Sequence, residues 1–381
     1  MKLTKSLFLA FAGLGLFACS NEEVVDNNGS VDGVKNISVT LNLPKAGTEM
    51  LSRAFEEGIA ASDATQGSGT VPVTINRISV TLHSANGNVT QTYTAAADDE
   101  DNFSITSQGN RQTAELSFQS VRNPISIEVS VNGGSTDKLT LDGINGMGLA
   151  AQLYKEVPAS QFQPNGKDAL KVTVTPSPRY ARLELSGISR APIAEGNQDI
   201  FNAATLAGMY LTGVYTDEDK TSIANADNGW SAQDNKPAAD YSAPTWSRLG
   251  GSFVAASASW PESGKAYAYN IFEGMPSLVF ALTDVTLKNN VIIPSWDKLS
   301  PIYAKVGKFV TESEDSDAAG IKNGVINTFK PGYIYRITSI AIPDYVWGTN
   351  PEEGGSEITL TATVVVEPWN IVDGSASWGN N

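Results

Sequence analysis

The sequence predicts an all-β protein, and three observations carry that prediction. Apolar residues recur at every second position in many short runs, the period of a strand with one buried face. Glycine and proline are frequent, at 34 and 18 residues, and separate those runs. Charged residues make up only 18% of the chain, while Thr, Ser, Val and Ala dominate. This composition suits short strands joined by turns and not helical bundles. At 381 residues the chain is longer than one core usually serves, so two domains are expected.

Residues 1–18 have the form of an export signal. Lys2 and Lys5 supply the charged start, and the apolar stretch from Leu7 to Phe17 is too short to span a membrane. It ends in Leu16-Phe17-Ala18-Cys19, which resembles a bacterial lipobox and makes Cys19 the expected lipidation site. An ordinary signal peptide with an incidental cysteine is the alternative. The polar, acidic residues from Ser20 to Asn36 have nothing to bury and form a tether.

The first strand is predicted over Ile37–Leu43. Ile37, Val39, Leu41 and Leu43 face one way, Ser38, Thr40 and Asn42 the other, and Pro44 closes the run. Arg53 follows ten residues after Leu43, in a loop-like setting ahead of Ala54 and Phe55. A cut after Arg53 would remove one complete strand from a sheet. Further strands are predicted around Ile75–Leu82, Thr113–Phe118, Ile125–Val131 and Ala169–Thr175. A hairpin turn is expected at Ala85-Asn86-Gly87-Asn88, and one short helix between Leu139 and Leu153. Pro176-Ser177-Pro178 is the best boundary between domains. Beyond it, strands are predicted at Arg179–Leu185, Tyr267–Glu273, Leu278–Leu287, Ile302–Val310 and Tyr333–Ile342. The stretch 202–265 is expected to be mostly loop. At the C-terminus Ile358, Leu360, Ala362, Val364 and Val366 alternate with Thr359, Thr361, Thr363 and Val365. Trp369 and Trp378 follow. That pattern belongs in a sheet, either its own or another subunit's.

The bulk charge excludes one class of partner. Net charge is −15, and within residues 1–53 five basic residues cancel five acidic ones, so a chain beginning at Ala54 also carries −15. Such a surface repels phosphate backbones, so no nucleic-acid partner is expected. One cysteine permits no intrachain disulfide. One histidine, His83, and a single cysteine leave no Cys-His or Ser-His arrangement, so no catalytic residue, no cofactor and no enzyme activity is expected. The acidic loops at Asp98–Asp101 and at Asp315 and Asp317 lack EF-hand spacing and are expected to be solvated, with no metal site.

Four features together resemble the Bacteroidales fimbrillin family, the shaft subunits of type V pili. They are the lipobox at Cys19, Arg53-Ala54-Phe55, the Arg179-x-Ala181-Arg182 motif before a strand, and the terminal strand ending Val366-Glu367-Pro368-Trp369 and closing at Trp378. The resemblance implies two tandem transthyretin-like β-sandwich domains, over 54–178 and 179–381, behind a propeptide of residues 19–53. It implies export to the outer membrane surface as a palmitate-type lipoprotein precursor. Cleavage after Arg53 by an arginine-specific surface protease then leads to polymerisation into a fimbrium. On this chain Ile37, Val39, Leu41 and Leu43 mark the strand that leaves. The donor strand, within 358–378, presents Ile358, Leu360, Ala362, Val364, Val366 and Trp369 to the next subunit. The implied partners are other copies head-to-tail, accessory tip and anchor subunits, and host or bacterial surface ligands.

A second reading is a fimbrial tip adhesin or a glycan-binding surface lipoprotein. Trp230, Trp246 and Trp260 would then be sugar-stacking platforms, whereas the plainer expectation for them is core packing.

Overall fold

The computed structural model describes residues 33–43, 59–60, 73–95, 103–108, 111–133, 137–147, 151–193, 195–196, 198–238, 240–255, 258–261, 265–289, 291–293, 301–352 and 360–368. The protein is built almost wholly of strands. In the first half these are β1 (Val34–Leu43), β2 (Arg77–Ser84), β3 (Val89–Thr94), β4 (Ile105–Gln108), β5 (Arg111–Arg122), β6 (Pro124–Val131), β7 (Leu153–Pro158) and β8 (Ala169–Val174). A single helical turn and a half, α1 (Leu141–Gly146), interrupts them, with the Thr140 hydroxyl accepting from the Gly143 amide at its start.

These strands form two five-stranded sheets. One runs β4-β5-β1-β8 and ends on the two-residue piece Gln163–Pro164. The other runs from Ser177–Pro178 through β7, β6 and β2 to β3. β1, β2, β5 and β8 bury alternate residues, and the inner faces of the two sheets share an apolar core. Ile37, Val39, Leu116, Phe118 and Val172 come from one sheet, and Ile78, Val80, Ile127 and Val129 from the other. This is sandwich packing, in which alternation along each strand sets the inner face. The hairpin β2–β3 turns at Asn86 and Gly87, where Gly87 adopts a positive φ of 114°.

The second half contributes β9 (Ala181–Leu185), β10 (Phe201–Thr212), β11 (Lys265–Ile271), β12 (Ser277–Leu287), β13 (Ile302–Val310), β14 (Tyr333–Ile337) and β15 (Leu360–Pro368). They are hydrogen-bonded in the order β10-β12-β13-β15-β14-β9-β11. Ile188–Arg190 and Ile340–Ile342 continue β9 and β14 as a separate parallel pair. The piece Ile59–Ala60 pairs with β11, so a segment early in the chain closes an edge of the second half.

β10 lies where the sequence predicts loop. Its residues, FNAATLAGMYLT, show no alternation because both faces are covered, and most of its side chains are buried. Gly208 on this strand lies against the Trp230 ring, and a Cβ there would meet the ring at 2.0 Å. Trp230 stacks on Tyr210 with centroids 6.5 Å apart and meets Trp246 edge-on at 6.0 Å.

Where the halves meet, backbone bonds run from Leu141 N to Thr216 O at 2.8 Å and from Glu218 N to Leu139 O at 3.2 Å. The Arg179 guanidinium donates to Glu218 and to the Asp137 carbonyl. On α1, Asn145 donates to the Asn270 carbonyl at 2.8 Å and accepts from the Asn270 amide at 2.9 Å.

Candidate assembly site

The predicted leaving strand is enclosed on both edges. β1 pairs antiparallel with β5 from Val34 to Leu43, with one irregularity between Lys35 and Ile37. On its other edge it pairs parallel with β8 from Asn36 to Leu41. Ile37, Val39, Leu41 and Leu43 are 0–2% exposed. They sit between Leu116 and Phe118 of β5 and Leu170, Val172 and Val174 of β8. β5 and β8 pair with β1 and not with each other, so without β1 this sheet has a gap one strand wide.

Burying an apolar side chain of this size is worth about 1.5–3 kcal/mol. Four of them represent about 6–12 kcal/mol, comparable to the entire stability of an ordinary domain. The first half therefore depends on a strand occupying this slot. The backbone groups of β5 and β8 facing the slot form two open edges when it is empty, and open edges recruit strands.

The predicted donor strand is held differently. Leu360–Thr363 of β15 pairs parallel with β13, through Val306, Lys308, Phe309 and Val310. Val364–Pro368 pairs antiparallel with β14, from Ile337 back to Tyr333. The strand thus passes from one neighbour to the other, and each of its paired residues has a cross-strand partner on one side. Its faces agree with the sequence reading. Ala362 and Val364 are buried, Val366 is half-buried, and Thr361, Thr363 and Val365 are exposed. Cys19, Arg53, Ala54, Ile358 and Trp369 lie outside the described residues, as does the side chain of Leu360.

Other candidate groups have structural roles. His83 Nε2 lies 3.1 Å from Glu128 across the β2–β6 ladder. Trp230 is buried, Trp246 packs edge-on against it, and Trp260 donates its ring N–H to the Gly250 carbonyl at 2.7 Å. These tryptophans pack the core and its loops, the plainer of the two sequence expectations. Asp315 accepts from the Gly324 amide and Asp317 opens a short 3-10 turn. Among the described residues no cluster of His, Cys, Asp and Glu has the arrangement of a metal site.

Sequence reasoning missed one cluster at the junction. Arg182, Glu184 and Arg336 are all less than 10% exposed. Arg182 Nε donates to Glu184 Oε1 at 2.6 Å and Arg336 Nε to Glu184 Oε2 at 3.4 Å. Period-two alternation along β9 assigns Arg182 and Glu184 to the outer face. Arg182 lies opposite Asn270 on β11, and Asn270 is hydrogen-bonded by Asn145 of α1 from the first half. The only trace in the sequence is two opposite charges two residues apart in a strand.

No family model matches the chain, and no curated protein matches it. Among solved structures it is similar to a fimbrilin from Porphyromonas gingivalis W83, at 14% identity and a TM-score of 0.46, over 89% of this chain and 99% of that one. It is also similar to a fimbrial assembly protein from Parabacteroides distasonis ATCC 8503, at 12% identity and a TM-score of 0.34, over 87% of this chain and 98% of that one.

Proposed function

We propose that this chain is a structural subunit of a cell-surface fimbrium, assembled by exchange of one strand for another. In this reading residues 1–18 direct export, Cys19 carries the lipid, and a surface protease cuts after Arg53. The domains of the mature subunit span 54–178 and 179–381.

The observation that carries the proposal is the contrast between β1 and β15. β1 fills a slot with ladders on both sides, and β15 is held on one side at each residue. Moving β15 from its own domain into the slot of another copy would exchange one-sided pairing for two-sided pairing. The apolar spacing supports this, since Ala362, Val364 and Val366 repeat the every-second-residue pattern of Val39, Leu41 and Leu43. The two-sided slot also offers one parallel and one antiparallel edge, the two kinds of ladder that β15 already makes in sequence.

Cleavage alone would not empty the slot. The cut strand stays bound by its ladders and its four buried side chains. What changes is its effective concentration, from intramolecular to that of a free peptide. A tethered donor on a neighbouring subunit then competes for the slot. Because the contact joins two different surfaces, it propagates into a filament instead of closing into a dimer.

Arg53→Ala tests the reading. Expected is full-length monomer that forms no filaments, while trypsin-trimmed wild-type chain with Ala54 as its N-terminus polymerises. Normal filaments from Arg53→Ala would overturn strand removal as the trigger.

A further inference from the structure

Nine large apolar side chains are more than a third exposed among the described residues, and six of them stand at the two far ends of the molecule. The junction between the halves fixes which ends these are. It is formed by 137–147 and 176–180 on one side and by 214–220, Asn270 and Gly332 on the other.

In the first half, β2 and β6 have their Ile78 and Val131 ends toward the junction, where Val131 pairs with Leu153. Ser84 and Pro124 therefore lie at the far end, together with Val34, which pairs with Arg122. Val34, Val89 and Ile125 are exposed there, at 42%, 53% and 57%.

In the second half, β10 runs from Phe201 to Thr212 at the junction. Arg190, Asp199, Lys288 and Asp344 cluster at its opposite end. Ile193, Ile292 and Tyr345 are exposed around that cluster, at 42%, 84% and 61%. Ile193, Ile200, Pro343 and Tyr345 line a hollow of about 560 Å³ between them.

The charges of the two ends are complementary. Arg122 and Lys167 are exposed at the first end, where Lys35 and Asp168 offset each other at 3.5 Å. That leaves a positive end on a chain of net charge −15. Among the described side chains at the second end Arg190 and Lys288 are matched by Asp344 and Asp199, and exposed Glu195 remains in excess. Clustered exposed apolar groups mark interaction surfaces, and complementary charge sets their orientation.

We infer that the hollow between Ile193 and Tyr345 receives the Val89–Ile125 face of a second copy of this chain. This is a head-to-tail end contact additional to strand insertion. It rests on the fimbrial reading for its place in a polymer, but its geometry does not depend on the leaving strand: Val34 and Lys35 depart with β1, while Val89, Ile125, Arg122 and Lys167 remain. Joining two unlike ends, the contact repeats without closing. As an addition to strand insertion, it orients the incoming subunit rather than holding it alone.

Disulfide trapping tests it, in the full-length chain with Cys19→Ser removing the sole native thiol. Chains carrying Ile125→Cys and chains carrying Tyr345→Cys are oxidised separately and mixed. Expected is at least tenfold more disulfide dimer in the mixture than in either alone, and a ladder of oligomers from the double variant. In cut subunits Ile193→Asp should slow filament elongation at least fivefold, with an unchanged melting temperature of the monomer. Dimer yields no higher in the mixture, or normal elongation by Ile193→Asp, would overturn the contact. Strand exchange fails separately, through filaments from Arg53→Ala, and that result leaves the trapping experiment unaffected.

Discussion

Shortening a side chain of β1 should weaken the precursor and hasten its assembly, while leaving the finished polymer unchanged. Leu41 is fully buried and paired on both edges, to Ala114 and Val174. Leu41→Ala removes packing that a rigid, two-sided slot cannot recover by collapse. The expected loss is about 3 kcal/mol, within the usual range for a buried leucine. Each 1.4 kcal/mol is a tenfold change in an equilibrium constant. The cut strand should therefore leave its slot roughly 100-fold more readily. The assay has three readings. Denaturant unfolding of the uncut chain should show the destabilisation. Light scattering after trypsin trimming should show faster polymerisation than wild type. Melting of the completed polymer should match wild type, because β1 is no longer present. Thr40→Ala, on the opposite and less buried face, should alter all three far less. Polymers of Leu41→Ala that melted well below wild type would refute the reasoning, since Leu41 would then still occupy the slot. Unchanged polymerisation with a destabilised precursor would equally show that strand release does not limit assembly.

Three further outcomes follow from the second half. Val364 is 1% exposed within its own fold, so Val364→Asp should destabilise the monomer as well as block assembly. Exposed Thr363→Asp should shift the monomer's melting temperature little, and a comparable loss from both would show that the two faces of β15 are not distinct. Glu184→Gln removes the carboxylate between Arg182 and Arg336 and should cost about 3–5 kcal/mol, read from the denaturant midpoint; a change under about 1 kcal/mol would mean the cluster is solvated. Glu273 is held below its usual carboxylate range by hydrogen bonds from Lys330 and Lys220, against an opposing effect of burial. Its contribution is therefore present above the unfolded-state value of about 4.3 and lost as pH falls through the lower folded value. Glu273→Gln should flatten the fall in melting temperature across that acid window, and an unchanged acid profile would remove the group from the account.

Local geometry is legible in the residues of each segment. The faces of β1, β2, β8 and β15 could be assigned because alternation is a property of adjacent residues and the pleat converts it directly into inside and outside. The turn at Asn86-Gly87 and the short helix after Thr140 were legible for the same reason, since each depends on a few neighbouring residues. β10 was not, because a strand covered on both faces loses its alternation. The pairing of strands was decided only in the tertiary structure. β1 is flanked by β5 and β8, elements far along the chain, and no local pattern specifies which distant strand supplies each edge. The same holds for β15, whose passage from β13 to β14 leaves it paired on one side at a time. Arg182 and Glu184 show the limit most directly: their positions on β9 follow from alternation, but their burial is set by parts of the fold distant in sequence. A strand's own residues fix which way its side chains point; what lies above them and beside them is fixed by the rest of the fold.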